Sequence, residues 1–368
     1  MIIKEHTPAG LEEFINSKEF QKSKVIPITK HRALSHINNP KVDRDDIILF
    51  TAYEDDELVG YLGVLADTIY LNDDEQKAGW LSCIWTSDSV RGQGVAKQLL
   101  SKALKSWDHK ILATEYTPAA KALYDQTDAF IDLTTLDGRR AYLRFNLHEL
   151  LPPKGFPKML TGLLRLSDFI MNIFNSLRLF LWKPFIQLDD SNLEYITEID
   201  DETKDFIERR NKHELIRRDA VELNWINKYP WVLSSPDTDA DAKRYHFSSS
   251  DKVFVNQNIK MKNKDGEMIA FLMFVIRGNN LKIPYCYFDE KHTDKIVQII
   301  YHQMFKLNLN MITTFNPAIV NYIKSHRTPF IYNKQMQRSY LITKDLGKNL
   351  ATNSRIEIQD GSGDCAFT

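Results

Sequence analysis

The same succession of patterns runs through this chain twice, and such a repeat restricts a fold more than any single motif does. In the first pass, β-rich runs at 47–53 and 58–65 flank the acidic turn Glu54-Asp55-Asp56-Glu57 and read as a hairpin. The run Trp80-Leu81-Ser82-Cys83-Ile84-Trp85 reads as a third, mostly buried strand. Over 94–107 the apolar residues Val95, Leu99, Leu100, Ala103, Leu104 and Trp107 recur at helical spacing. A strand at 111–114, a helix opening at Pro118 and a closing strand at 141–145 complete the pass. In the second pass, 253–255 and 268–272 surround the turn Asn263-Lys264-Asp265-Gly266-Glu267. Phe315-Asn316-Pro317 then stands where Tyr116-Thr117-Pro118 stands in the first, and Tyr340-Leu341-Ile342 matches the closing strand. One fold used twice suits 368 residues, more than one compact core usually holds. Chance likeness between two short α/β patterns is the alternative.

Composition changes most between the passes. Leu151-Pro152-Pro153-Lys154-Gly155-Phe156-Pro157 is poor helix or strand material, and an apolar run with Lys158, Arg165, Arg178 and Lys183 scattered through it follows as far as Trp182. It reads as a helix wedged between two domains. The alternative is an interfacial membrane helix, so peripheral membrane contact through 158–186 stays open. No 18-residue apolar run exists, and no spanning segment is expected. Lys and Arg number 48 against 49 Asp and Glu, a near-neutral balance that argues against a nucleic-acid partner. Three scattered cysteines form no disulfide framework, and the first residues hold no signal peptide, so a cytoplasmic protein is expected. His31 and His36, five apart, do not share a helix face, and no metal site is expected. Asp360-Gly361-Ser362-Gly363-Asp364 reads as part of a polar tail. The expected segments are 1–150, a connector at 151–190, a second domain at 191–346 and a tail at 347–368.

Chemistry concentrates at Arg91-Gly92-Gln93-Gly94-Val95-Ala96, between a strand and an amphipathic helix. Glycines there permit positive φ and close approach of a ligand. The helix start presents unpaired N–H groups and the positive end of a dipole, and Arg91 adds a forked cation, so the turn suits a pyrophosphate. It is no Walker loop, since no Gly-Lys-Ser/Thr follows, and it lacks the third glycine of a dinucleotide fingerprint.

This arrangement resembles the Gcn5-related N-acetyltransferase (GNAT) family, whose signature Arg/Gln-x-x-Gly-x-Gly/Ala is met by Arg91, Gly94 and Ala96. Ala122-Leu123-Tyr124 followed by Ala129-Phe130 resembles a second family segment, with Ala129 in place of glycine. The resemblance covers 1 to about 146. It implies an α/β fold of the α+β type: two GNAT-like domains, each with a mixed, mostly antiparallel sheet flanked by helices. It also implies acetyl-CoA as co-substrate. Cys83, Ile84 and Trp85 would pair with the pantetheine arm, and Arg91, Gly92 and the amides of Gln93, Gly94, Val95 and Ala96 would hold the pyrophosphate. An amine acceptor, small molecule or peptide, would attack the thioester while Tyr124 acts as general acid. Packing of the Tyr124 ring in the core is the competing reading. Thr117 stands where the family often has Asn, and the strand before the loop carries no carboxylate, leaving Glu115 on the next strand or a water chain as base. Cys83 reads as a small core residue rather than a nucleophile.

The second pass lacks the loop. Its equivalent, Asp289-Glu290-Lys291-His292-Thr293-Asp294-Lys295, has no glycine and three acids, and Ile323 falls where Tyr124 stands. A degenerate copy is therefore expected. Trp225, Tyr229 and Trp231 read as hydrophobic core, with the wall of an acceptor pocket as the alternative. The expected activity is N-acetyl transfer to a primary amine. The alternatives are a longer acyl or aminoacyl donor, and a non-catalytic acyl-CoA sensor or scaffold.

Overall fold

The computed structural model describes residues 1–71, 74–151, 157–186, 192–235, 241–348, 350 and 356–367. The proline-rich stretch at 152–156 lies outside the described residues. The chain opens with β1 (Ile2–His6), α1 (Pro8–Asn16), α2 (Lys18–Lys22) and α3 (Lys30–Ile37), then β2 (Leu49–Glu54), β3 (Glu57–Leu71) and β4 (Asp74–Thr86). Next come α4 (Val95–Ser106), β5 (Ile111–Thr114), α5 (Pro118–Thr127) and β6 (Phe130–Tyr142). The middle holds α6 (Leu147–Leu150), α7 (Thr161–Ile186), β7 (Leu193–Ile196), α8 (Asp201–Glu208), α9 (Ala220–Lys228), β8 (Leu233–Ser234) and β9 (Ser250–Asp251). The last third runs β10 (Phe254–Lys262), β11 (Met268–Arg277), β12 (Asn280–Phe288), α10 (Thr293–Lys306), β13 (Met311–Thr314), α11 (Pro317–Ser325), β14 (Tyr332–Thr343) and α12 (Lys344–Gly347).

Local chemistry explains many of these boundaries. The paired motifs at Thr117-Pro118 and Asn316-Pro317 are helix starts. The Thr117 side chain accepts from the Ala120 amide and the Asn316 side chain from the Ile319 amide, with proline in the first turn each time. Asp55 and Asp56, both at positive φ, form the two-residue turn joining β2 to β3, the handedness a tight hairpin requires. The four acids are thus a turn.

The chain forms two compact units, and neither is one contiguous stretch. The first gathers Met1–Leu136, Thr197–Asn256 and Arg338–Thr368, the second Asp137–Ile196 and Gln257–Gln337. This differs from the expected division at 1–150 and 191–346. In the first unit the sheet order is β1-β2-β3-β4-β5-β14, mostly antiparallel with a parallel β4–β5 pair. Tyr340–Ile342 of β14 close it by pairing with Leu112–Thr114 of β5. In the second unit the order is β6-β13-β12-β11-β10-β7, and the closing strand is Arg139–Tyr142 of β6, paired with Met311–Thr314. Each unit therefore takes its last strand from the other pass of the chain. A strand's alternating pattern records which face is buried and not which edge it joins, so the exchange is invisible in the sequence.

On one face of the first sheet, α4 buries Val95, Leu99, Leu100, Ala103 and Leu104 with Trp107. On the other, Leu11, Phe14, Phe20, Ile26 and Ala33 pack with Tyr61 and Tyr245. Segment 197–256 joins this unit through a buried ion network. Arg218 forks onto both carboxylate oxygens of Asp67, at 2.7 Å each, and donates to Glu222 at 2.6 Å, while Trp80 Nε1 donates to Asp67 at 2.8 Å. Trp225 and Trp231 are buried against Phe367, while Trp225 also lines a cavity together with the half-buried Tyr229. The tail is a correction as well: Ser362, Cys365, Ala366 and Phe367 are buried, so the end of the chain is structural and not a solvated appendage.

In the second unit Ile259, Leu272, Phe274, Leu281 and Ile283 of the sheet meet Ile296, Ile300 and Met304 of α10 and Ile319 and Ile323 of α11. Its order of hairpin, strand, helix, parallel strand and proline-capped helix matches the first unit.

Candidate functional site

The site begins with two strands that part. β4 and β5 pair in parallel only at Gly79↔Ile111 and Trp80↔Leu112, whereas β4 continues to Thr86. Beyond Trp80 the backbone of β4 has no β5 ladder, so Cys83, Ile84 and Trp85 form a stretch of β4 past the end of the parallel pairing. A bulge shapes it: Tyr61↔Trp85 is followed by Gly63↔Ser82, so β4 carries one extra residue, and Cys83 lies there at φ 55. An extended polar chain laid along such an unpaired stretch finds backbone donors and acceptors already spaced for pairing.

The glycine turn lies directly after β4. Gly92 and Gly94 adopt φ 82 and φ 78, and Gly94 forms the N-cap of α4 without a side chain to satisfy the first turn. A Cβ at either glycine would meet nothing within 4 Å, so the requirement is conformational and not steric. The amide of Gln93 donates to Val90 O at 3.1 Å, which removes it from the expected phosphate cradle. The amides of Gly94, Val95 and Ala96 remain at the helix start. Arg91 is exposed and pairs with the equally exposed Asp88 at 2.6 Å, an arrangement that water screens and an anion can replace.

Tyr124, on α5, is 4% exposed and packs against Tyr116 and Phe130, at ring distances of 5.9 Å and 5.2 Å. Burial raises its pKa, and Asp364, Tyr116 and Cys83 lie close enough to add to the effect. The phenol is accordingly held protonated at neutral pH, the state an acid needs. Glu115 is differently engaged: it sits at φ 51 and accepts from Arg338 Nε at 2.6 Å, so its carboxylate is committed to a salt bridge.

Sequence reasoning missed two neighbours. Asp364, in the tail, accepts from Ser82 Oγ at 3.0 Å, one residue from the bulge. Burial raises its carboxyl above its ordinary value, against the opposing pull of Arg32 and Ser82. Arg32, on α3, is 4% exposed and donates to Cys83 Sγ at 2.7 Å, Ser82 Oγ at 2.5 Å and Tyr245 Oη at 2.9 Å, and its guanidinium lies 3.8 Å from the Trp231 ring centre. No local pattern marks either residue, because each reaches the bulge from a distant stretch of chain. Among the described residues, no three His, Cys, Asp or Glu side chains gather as a metal-binding group.

Residues 12–127, which hold the bulged strand and the glycine-capped helix, match a family model described as the acetyltransferase (GNAT) family. A sequence search of curated proteins returns no match. Among solved structures, Saccharomyces cerevisiae N-myristoyltransferase with bound myristoyl-CoA is similar at a TM-score of 0.52 and 12% identity, over 93% of this chain and 78% of that one. A GCN5-related N-acetyltransferase from Anabaena variabilis gives 0.51 at 10% identity, over 92% and 71%. A probable N-acyltransferase from Enterococcus faecalis gives 0.53 at 10% identity, over 95% and 73%. At such identities the likeness establishes the fold.

Proposed function

We propose that the chain is an acyl-CoA-dependent N-acyltransferase, with its coenzyme site in the first unit, that moves an acetyl group to a primary amine of a small molecule or peptide in the cytoplasm. The stretch of β4 left without a β5 partner beyond Trp80, leading to the glycine-capped start of α4, carries the reading. Pantetheine pairs with the Cys83, Ile84 and Trp85 backbone, and the pyrophosphate rests on the Gly94, Val95 and Ala96 amides beside Gly92 and Arg91. Asp364 takes the place expected of Glu115 as the base that frees the acceptor amine, whose conjugate acid has a pKa of about 10. Once Asp364 has taken one proton from the ammonium, the neutral nitrogen attacks the thioester carbon, the carbon–sulfur bond breaks as Tyr124 gives its proton to the departing sulfur, and the proton shed by the new amide nitrogen restores the Tyr124 phenol. The second unit is a degenerate copy: its equivalent turn, ahead of α10, holds Asp289 and Glu290 and no positive-φ glycine, and Ile323 is buried where the acid would stand. A longer acyl donor is the second reading, because the N-myristoyltransferase likeness spans nearly the whole chain.

Calorimetry on the whole chain tests this with acetyl-CoA and myristoyl-CoA, on the wild type and Gly94→Val. One site per chain, lost in the variant, supports the reading, and the tighter ligand names the donor. Two sites would overturn the degenerate second unit, and no binding of either coenzyme would sink the proposal.

A further inference from the structure

Helix α7 is built inside out. Its inward line is Leu164, Asp168, Asn175, Leu179 and Ile186, at spacings of four and seven. The polar members dock it within the second unit. Asp168 accepts from the amides of Leu147 and His148 and from His148 Nδ1, at 2.8, 3.0 and 2.8 Å. Asn172 exchanges hydrogen bonds with the Phe145 backbone, and Asn175 Nδ2 donates to Leu143 O at 2.9 Å. Apart from Leu164, Leu179, Ile186 and Trp182, the large apolar side chains point away. Thirteen of the 23 exposed large hydrophobic residues among those described lie between Met159 and Phe185, including Leu163 at 64%, Phe169 at 65%, Phe174 at 75%, Leu177 at 67%, Phe180 at 63% and Phe185 at 72%. A helix wedged between domains would bury these residues, and here they are exposed. A 26-residue helix is about 39 Å long, and a soluble surface rarely carries a continuous apolar face of that extent.

We propose that this face is an in-plane docking site for an anionic lipid bilayer. Three observations select lipid over a second protein. The exposed residues cover far more of the circumference than the two positions per heptad of a helix–helix seam. The one acid on the helix, Asp168, is turned inward and hydrogen-bonded, whereas Arg165 and Lys183 are exposed along the rim and Arg327 stacks over Trp182 with its guanidinium 5.8 Å from the ring centre. A symmetric pairing of two such helices would bring like charges together with no acid on the face to answer them. No helix of the described residues is long and apolar enough to cross a membrane, so the helix lies along the surface.

The test is co-sedimentation of the full chain with phosphatidylcholine vesicles, with and without phosphatidylglycerol. Sedimentation that depends on phosphatidylglycerol and weakens with salt is expected. The double substitution Arg165→Gln, Lys183→Gln should weaken it on the order of 30-fold at low salt. Phe174→Glu with Phe180→Glu should abolish it while leaving the melting temperature unchanged, because both side chains are exposed. A wild type that stays in the supernatant with both vesicles would overturn the proposal. So would a stable dimer by light scattering that the two glutamates convert to monomer, since the occupant is then a second copy. Coenzyme calorimetry is untouched by these substitutions, which keeps this outcome separate from that of the proposed activity.

Discussion

Two side chains carry the proposed chemistry, and their environments push both pKa values up. For Tyr124 this preserves the proton. Tyr124→Phe is expected to lower kcat by about 100-fold or more while leaving coenzyme affinity intact; steady-state kinetics beside calorimetry separates an acid from a ring that only packs. For Asp364 the reacting form is the carboxylate, so kcat/KM falls as pH drops through its raised pKa. Asp364→Asn should lose that acid limb together with most of the rate, and a limb that survives the substitution removes Asp364 as base. Two buried histidines give a pH effect on stability. Burial, with Lys4 beside His6 and Arg32 beside His36, lowers them from 6.5 to about 4 and about 3. Below 6.5 the unfolded chain binds protons that the folded one does not, so stability declines as pH falls from 6.5 towards 4. The slope is about 1.4 kcal/mol per pH unit for each histidine once the unfolded state is fully protonated. Urea unfolding at several pH values checks it, and His36→Phe, which keeps a ring against Trp231, should flatten the slope.

At the level of elements, the turn into α4 and the network around Arg218 matter most. Gly94 occupies a left-handed N-cap with open space around it, so a β-branched residue there is strained without clashing. Gly94→Val should cost more than about 1 kcal/mol, and coenzyme affinity should suffer more than stability because the helix-start amides rotate. Arg218 neutralises two buried carboxylates, Asp67 on β3 and Glu222 on α9. Arg218→Ala leaves Asp67 only its hydrogen bonds from Trp80 and the Thr68 amide, and Glu222 only Lys41 at 3.7 Å and the Asp219 amide, and should destabilise the first unit by about 3 kcal/mol, measurable by chemical denaturation. An unchanged midpoint would show that this ion network contributes nothing to the stability of that unit.

The whole molecule is organised by strand exchange. Residues 1–150 alone retain the matched family segment and the glycine turn, but lack Tyr340–Ile342 against β5, Arg218 against Asp67 and Phe367 against Trp231. That fragment is expected not to fold cooperatively, with circular dichroism and thermal melting as the check. A fragment that melts sharply would restore the contiguous domain of the sequence reading. For the same reason, removing the last nine residues should disable the first unit despite their distance in sequence, through loss of Asp364 and the Phe367 stack.

The amino-acid sequence by itself determined whatever depends on neighbours along the chain. The hairpin at Asp55-Asp56, the capped starts at Thr117 and Asn316, the amphipathic α4 and the positive-φ glycines before it all follow from backbone sterics and local hydrogen bonding within a few residues. From these the GNAT resemblance and the place of Tyr124 were legible. Tertiary structure alone decided which strand closes which sheet, that Glu115 is tied to Arg338, that a tail read as polar brings a carboxylate to Ser82, and that α7 turns its asparagines inward and its phenylalanines out. Those outcomes depend on pairings between residues from 32 to 282 positions apart. Periodicity says that a face is apolar or that a side chain can accept a hydrogen bond, and carries no record of the partner that meets it.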